Sequence, residues 1–170
     1  AEKLAEKGVG VIVHGRSPDK IAKTLSEIKK KTGNERIFSY QADLAELSQV
    51  HSLARAVKSD HPSLDILINN AGLGPNHRDI FQVNYLAPVV LSIELLPLIE
   101  STKGRIVNIS SAAQSRVELN PFLQALGMDA YAQSKLALNQ FSFLLAGAIK
   151  ESGVKVFALD PGSLLNTNMV

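Results

Sequence analysis

The sequence has no cysteine and no tryptophan, and the missing thiols already exclude several classes of function. Without cysteine there is no disulfide framework, no thiolate nucleophile and no cysteine-ligated metal. The four histidines, His14, His51, His61 and His77, are scattered without the short spacings of a metal site, so we expect no metal. The lack of cysteine is also typical of cytoplasmic proteins, and we therefore expect a cytoplasmic location.

Strong net charge and long hydrophobic runs are also missing. The formal net charge of +2 is too small to indicate nucleic-acid binding. The densest basic stretch, Lys29–Lys31, closes a predicted helix, where cations complement the helix dipole. No apolar run approaches the roughly 20 residues that a membrane span requires, so we predict no membrane segment. No secretory signal peptide is visible either.

What the chain does contain is a regular alternation of two hydrophobic periods over 170 residues, a length typical of one domain. Short runs rich in valine and isoleucine predict strands buried on both faces. These runs are Val9–His14, Arg36–Gln41, Leu64–Asn69, Arg105–Ser110 and Lys155–Leu159. Segments with helical spacing lie between them, at Asp19–Lys31, Glu46–Ser59, Asp79–Ser101 and Ala130–Glu151. This order predicts an α/β fold of Rossmann type, a doubly wound parallel sheet with helices on both faces.

The last predicted helix has more apolar surface than one contact with a sheet requires. One broad stripe on its helical wheel consists of Ala137, Leu138, Phe141, Leu144, Leu145, Ala148 and Ile149. Leu136 and Phe143 lie well outside this stripe. A helix that is apolar on two sides packs between two bodies, either under a covering loop or at a subunit interface. We favour the interface, and expect a homodimer or homotetramer.

Small and hydrogen-bonding residues follow every predicted strand. They are Gly15-Arg16, Asp43-Leu44, Asn69-Asn70-Ala71-Gly72, Ser110-Ser111 and Asp160-Pro161-Gly162. Ligands of doubly wound sheets bind beyond the carboxyl ends of the strands, so these residues are candidates for a binding site.

The helix after the fourth strand adds Tyr131 and Lys135. A spacing of four residues places the phenol and the amine on one face of a helix. A tyrosine is a poor base at neutral pH, but a nearby cation stabilises its phenolate and favours proton transfer. Taken alone, such a pair is more often an ordinary surface contact.

Four motifs occur in order: Asn69-Asn70-Ala71-Gly72, Gly104–Ser111, Tyr131-x-x-x-Lys135 and Pro161-Gly162. Together they resemble the signature of the short-chain dehydrogenase/reductase family, over essentially the whole chain. The resemblance implies binding of NAD or NADP and transfer of a hydride between the nicotinamide and a carbonyl or alcohol carbon. The implied partner is therefore a small-molecule carbonyl or alcohol.

The resemblance also implies the catalytic roles. Tyr131 corresponds to the general acid/base, and Lys135 to the residue that promotes its ionisation and holds the ribose of the nicotinamide. Ser111 corresponds to the serine that orients the substrate oxygen. Asn84 corresponds to the helix asparagine that supports a water-mediated proton relay.

For the cofactor, the resemblance implies contacts at eleven positions: Arg16, Asp43, Leu44, Asn70, Ala71, Gly72, Tyr131, Lys135, Pro161, Gly162 and Thr167. Asp43 corresponds to the aspartate beside the adenine. Relatives that prefer NAD carry an acidic residue near Gly15, whereas Arg16 here can pair with a 2′-phosphate. We therefore expect NADP, with NAD possible.

The sequence departs from the family pattern at both ends of the chain. The phosphate-binding Thr-Gly-x-x-x-Gly-x-Gly loop and the strand before it have no counterpart, because Gly8-Val9-Gly10 follows a predicted helix and precedes a strand. In the strand order 3-2-1-4-5-6 that first strand is central. We therefore expect residues 1–170 to be a single NAD(P)-binding domain that lacks an amino-terminal segment and part of its carboxyl-terminal end. Thr167 also falls one residue later than the family's threonine.

Substrate preference is suggested only by a segment between Ser111 and Tyr131. Its residues Arg116–Asp129 include Leu119, Pro121, Phe122, Leu123 and Leu126, so we expect the segment to border a pocket for a lipophilic carbonyl or alcohol. The segment from Gly72 to Asn84 is shorter than in most relatives. Two alternatives remain: a non-catalytic nucleotide-binding sensor or scaffold of the same fold, and a sugar-nucleotide epimerase or dehydratase of the extended branch.

Overall fold

A computed structural model describes residues 1–116 and 127–162 of the chain. The residues fall into two compact units, Ala1–Leu53 and Ala54–Val170. Each unit has a parallel sheet of its own, with two strands in the first and three in the second.

The first unit contains helix α1 (Glu2–Ala5), strand β1 (Val11–Gly15), helix α2 (Pro18–Thr32) and strand β2 (Ile37–Gln41). Strands β1 and β2 pair in parallel over their full length. Helix α2 begins at Ser17, whose hydroxyl accepts a bond from the Lys20 amide, and ends at Gly33 in the left-handed conformation. Its apolar face packs on the sheet, and the core consists of Ala5, Val11, Ile28 and Ile37.

The second unit is built around strands β3 (Ile66–Asn69), β4 (Arg105–Ile109) and β5 (Lys155–Leu159), which pair in parallel in the order β3-β4-β5. Helix α3 (Leu47–Asp60) leads into this unit from the first one. A π-helical turn (Gln82–Leu86), α4 (Ala87–Glu94) and α5 (Leu96–Glu100) connect β3 to β4. A 3-10 helix (Ala112–Arg116), α6 (Gly127–Ala148) and a 3-10 turn (Lys150–Ser152) lie between β4 and β5.

The expected fold class is confirmed. All five predicted strands form within about two residues of their predicted bounds, and every pair is parallel. The two strand orders, β1-β2 and β3-β4-β5, are those of the expected sheet without its first strand.

The segment predicted as a single helix, Asp79–Ser101, is helical over most of its length but is not one regular helix. The structure has a π-helical turn followed by two short helices that each carry a proline in the first turn, Pro88 and Pro97. A proline has no amide hydrogen for the preceding helical turn, so it fits the start of a helix and breaks its interior. The apolar spacing of this segment continues through the breaks, which is why periodicity alone misses them.

Within the described residues, the strands are not buried on both faces as expected. Ile66, Ile68, Phe157 and Leu159 are between 42% and 50% exposed. Burial on both faces requires a layer of helices on each side. In the part of the chain that the structure describes, no second layer of helices covers these four side chains.

The apolar stripe predicted on α6 is buried only in part, at Ala137, Leu138 and Leu145. Leu144 is 74% exposed, although the stripe included it, and Phe143 outside the stripe is 76% exposed. The buried face instead carries small and polar residues beside Leu138 and Leu145. Hydrophobic periodicity does not detect such a face, because its polar groups are buried through hydrogen bonds. The oligomeric state and the cytoplasmic location stay predictions.

The described residues contain neither a membrane-spanning helix nor a cluster of metal-binding side chains. No helix among them is both long and apolar enough to span a bilayer. Within the same ranges, no group of three or more histidine or acidic side chains is arranged to hold a metal ion.

Candidate active site

Tyr131 and Lys135 lie on the same face of α6, as their spacing predicts. The Lys135 amine is 5.9 Å from the centroid of the Tyr131 ring. It donates a hydrogen bond of 2.8 Å to the carbonyl of Ile109, the last residue of β4. The Ser110 hydroxyl donates back to the Lys135 carbonyl at 3.4 Å. These two bonds hold the first half of α6 against the carboxyl end of β4.

The environment of Lys135 is unusual for a lysine, because the residue is only 3% exposed. Burial disfavours the charged amine and lowers the pKa of Lys135 from 10.5 to about 8. The amine is still mostly protonated at pH 7, so a cation lies beside the Tyr131 ring at neutral pH. Perturbed ionisable groups of this kind concentrate at functional sites.

Ser111 follows β4 and opens onto a cavity. Its hydroxyl accepts a bond of 3.2 Å from the Ala113 amide, which fixes the turn after the strand. The cavity has a volume of about 370 Å³ and is lined by Ser110, Ser111, Ala112, Gln114, Asn139, Ala158 and Asp160. Tyr131 and Lys135 are not among these residues, so the described contacts join them to Ser111 only through its neighbours Ile109 and Ser110.

Asn84 lies in the π-helical turn and is almost completely buried. Its amide oxygen accepts from the Leu73 amide at 2.7 Å, and its amide nitrogen donates to the Leu73 carbonyl at 3.0 Å. The same nitrogen donates to the Ser134 hydroxyl at 3.1 Å, and that hydroxyl donates to the Tyr131 carbonyl at 2.6 Å. Asn84 thus fixes the end of the Asn70-Ala71-Gly72 loop and ties it to the helix of the Tyr131–Lys135 pair.

The predicted adenosine residues of the first unit lie together at the ends of β1 and β2. The Arg16 guanidinium is 3.6 Å from an Asp43 carboxylate oxygen, and its side chain is 76% exposed. Asp43 also accepts a bond from the Ala45 amide, while Leu44 between them is buried. His14, on β1, is bonded to the Ala42 carbonyl, and burial lowers its pKa against the opposing effects of that bond and of Asp43.

The last predicted motif follows β5. The Gly162 amide donates to the Asp160 carboxylate at 3.1 Å, and Gly162 has a φ of 88°, which favours glycine. Both Pro161 and Gly162 are exposed. Thr167 and most of the apolar segment between Ser111 and Tyr131 lie outside the described residues.

The sequence interpretation missed a set of buried polar residues that crosses the second unit. These are Ser92, Asn108, Ser134 and Ser142, all at most 4% exposed, and Asn69, which was noted only for its motif. A signal was present, since asparagine and serine interrupt otherwise apolar segments at these positions. Their pairing was not readable, because the partners are up to 50 residues apart in sequence.

Comparison with known proteins identifies the family of this chain. The chain matches the family described as short chain dehydrogenase over residues 1–170. It belongs to the short-chain dehydrogenase family. Among curated members, dehydrogenase/reductase SDR family member 13 of Bos taurus is 34% identical over 95% of this chain and 47% of that protein. The human polyprenol dehydrogenase is 32% identical over 99% of this chain and 57% of that protein. The chain thus spans about half the length of the curated short-chain dehydrogenases that it matches.

A solved short-chain dehydrogenase confirms the fold. A metagenomic short-chain oxidoreductase in complex with NADP is 29% identical, with a TM-score of 0.78, over 96% of this chain and 75% of that chain. The family predicted from the four motifs is therefore confirmed, as is the Rossmann-type fold.

The residues present fit two parts of a nicotinamide dinucleotide. In the first unit, the exposed Arg16 guanidinium suits a phosphate, and Asp43 offers an acceptor beside it. In the second unit, Tyr131 and Lys135 carry donors that suit sugar hydroxyls. Gly8-Val9-Gly10 joins α1 to β1, which is the reverse of the strand-to-helix turn that cradles a pyrophosphate.

Proposed function

We propose that the protein is an NADP-dependent oxidoreductase that transfers a hydride between the nicotinamide and a carbonyl or alcohol carbon. The observation that carries the proposal is the Tyr131–Lys135 pair of α6, held against the end of β4 beside Ser111. The family of the chain supports the reaction class. The bound NADP of the metagenomic relative supports the cofactor.

In the proposed reaction, Tyr131 exchanges a proton with the substrate oxygen. In the reduction direction its hydroxyl protonates that oxygen as the carbonyl carbon accepts a hydride, which the nicotinamide supplies when bound. The Lys135 cation beside the ring stabilises the phenolate that remains. Ser111, which lines the cavity, donates a hydrogen bond to the same oxygen and orients it.

Arg16 supports NADP over NAD. Its guanidinium is mostly solvent-exposed and is held near the strand ends by Asp43 at 3.6 Å, a distance too long for a strong charge-assisted bond. A 2′-phosphate offers a better partner, with two oxygens for a bidentate contact. We expect the full-length protein to bind NADPH at least about tenfold more tightly than NADH, and Arg16→Ala to remove that difference. Fluorescence titration with each cofactor measures it, and equal affinities in the wild type would contradict the NADP assignment.

Two observations bear on the substrate: the lining of the cavity and the names of the relatives. Most of the residues that line the cavity beside Ser111 are polar. The name of the human polyprenol dehydrogenase, in contrast, points to a long-chain alcohol. A lipophilic substrate would place its reacting carbonyl at Ser111, with its apolar part outside this polar lining. The test panel therefore needs long-chain aldehydes and ketones alongside small hydroxylated ones.

The deciding experiment is turnover by the full-length protein with NADPH and this panel. Tyr131→Phe should lower kcat/KM by at least about a hundredfold, since it removes the transferable proton and little else. Tyr40→Phe, a change of the same kind on β2, is the matched control and should retain the wild-type rate. A Tyr131→Phe variant that matches Tyr40→Phe would overturn the mechanism, and absence of turnover with a bound cofactor would favour the nucleotide-sensor alternative.

A further inference from the structure

A continuous line of buried polar side chains crosses the second unit from β3 to α6. It consists of Asn69 on β3, Ser92 on α4, Asn108 on β4 and Ser142 on α6, and we call it the amide–hydroxyl chain. Each of the four residues is at most 7% exposed. None of them has a place in the reaction proposed above.

The hydrogen bonds of this chain are well formed and directional. The Asn69 amide nitrogen donates to the Ser92 hydroxyl at 3.1 Å and to the Asn108 amide oxygen at 2.8 Å. The Asn108 amide nitrogen donates to the Ser142 hydroxyl at 2.8 Å. That hydroxyl donates to the Leu138 carbonyl at 2.7 Å, so it has both an incoming and an outgoing bond. The Asn108 amide and the Ser142 hydroxyl therefore each accept one hydrogen bond and donate another.

Stability alone is a weak reason for such a chain. A satisfied buried hydrogen bond adds little net stability, and a buried polar pair replaced by apolar groups of the same shape is often as stable. An apolar contact, however, tolerates a small slide of one element along another. A hydrogen bond between two buried side chains favours one register, because a slide of about 3 Å, roughly one residue of a strand, would stretch it beyond hydrogen-bond distance and leave both groups without a partner.

The Asn108–Ser142 bond joins the same strand end and the same helix that carry the proposed catalytic residues. Asn108 is three residues before Ser111 on the same strand end, and Ser142 is seven residues, about two helical turns, after Lys135 on α6. The helix is therefore attached to β4 through the side chains of two residues, Lys135 and Ser142, whose backbone positions lie roughly 10 Å apart along the helix axis. Two fixed points on one rigid helix determine where its Tyr131 end lies.

We propose that Ser142 and Asn108 are positioning residues that set the register of α6 on β4, and thereby the placement of Tyr131 and Lys135 against Ser111. The catalytic part of this inference rests on the proposed function. The positional part does not, because it concerns contacts of this chain alone.

The test compares Ser142→Ala with Ser92→Ala in the full-length protein. Both changes remove one buried hydroxyl from the amide–hydroxyl chain, but only Ser142 lies on α6. Ser142→Thr keeps the hydroxyl and serves as the conservative rescue. If Ser142→Ala does not fold, Ser142→Cys, which keeps a weaker hydrogen-bonding group, allows the same comparison.

The first readout is the titration of the Lys135 amine, followed by NMR with lysine labelled at the ε-carbon and assigned with Lys135→Met. The recorded neighbours of the amine are the Ile109 carbonyl and the Tyr131 ring. The wild type and Ser92→Ala should titrate near the pKa of about 8 that burial gives Lys135. In Ser142→Ala the helix end loosens and the amine gains water, so its titration should move toward the ordinary value of 10.5.

The second readout is kcat/KM with any carbonyl that the protein reduces. It should fall about tenfold or more in Ser142→Ala, recover in Ser142→Thr and stay within about twofold in Ser92→Ala. If Ser142→Ala matches Ser92→Ala in both the lysine titration and kcat/KM, the positioning role is refuted. A shifted titration in a protein without turnover would refute the proposed function and leave the positioning role standing.

Discussion

Burial of the Lys135 amine predicts a measurable dependence of folding stability on pH. Lys135→Met is the informative change, because methionine is similar in size, apolar and unable to carry a proton. The ordinary pKa of 10.5 and the folded value of about 8 differ by about 2.5 pH units. At about 1.4 kcal/mol per unit, the folded state disfavours the charged amine by about 3 kcal/mol.

The sign follows from which state binds the proton. Below pH 8 both the folded and the unfolded chain hold it, and the folded chain bears the full desolvation cost. Between about pH 8 and 10.5 the folded chain has released the proton that the unfolded chain still binds, so the stability of the wild type rises with pH. Lys135→Met lacks this contribution. Its stability relative to the wild type should therefore fall by about 3 kcal/mol between pH 7 and 10.5.

Denaturant unfolding of both full-length proteins at several pH values measures this difference. The comparison cancels the other lysines and tyrosines that titrate in the same range. The loss of the bond to the Ile109 carbonyl, about 1–3 kcal/mol if that oxygen is left unpaired, adds a constant offset to the difference between the two proteins and leaves its change with pH unaffected. A difference between the two proteins that stays constant from pH 7 to 10.5 would refute the buried-amine interpretation.

Two further predictions concern the scaffold of the site. Asn84→Ala leaves both backbone groups of Leu73 without their buried partner. We therefore expect the free energy of unfolding to fall by about 2–4 kcal/mol. An unchanged free energy of unfolding would contradict the role of Asn84 in fixing this loop. Gly104→Ala would place a β-carbon 2.5 Å from the backbone oxygen of Asp65, so the start of β4 must shift. The control is Gly147→Ala, whose added carbon meets nothing within 4 Å. We expect a lower melting temperature for Gly104→Ala than for Gly147→Ala, and equal melting temperatures would contradict the clash.

Much of the fold was predictable because its signals are local. Alternating strand and helix periods located β1 to β5, and the residues at the strand ends marked the candidate site. The four-residue spacing of Tyr131 and Lys135 placed them on one face of α6, as the structure shows. These features depend on residues close together in sequence, where backbone geometry decides which side chains can meet.

The rest depended on contacts that no local pattern contains. The apolar stripe on α6 was predicted from hydrophobicity, which counts Ser142 as a solvent-facing residue. The structure buries it, because Asn108 lies 34 positions away in sequence and supplies a partner. The burial of the Lys135 amine against the end of β4 likewise depends on packing between elements.

The most direct test of one shared active site is a double-mutant cycle on Ser111 and Tyr131, measured as kcat/KM for the reduction of one carbonyl with NADPH. Residues that act on the same substrate oxygen are strongly non-additive. Ser111→Ala combined with Tyr131→Phe should therefore cost about as much as Tyr131→Phe alone. Two effects that multiply, each as large in the double variant as alone, would show that the two side chains do not act in one site.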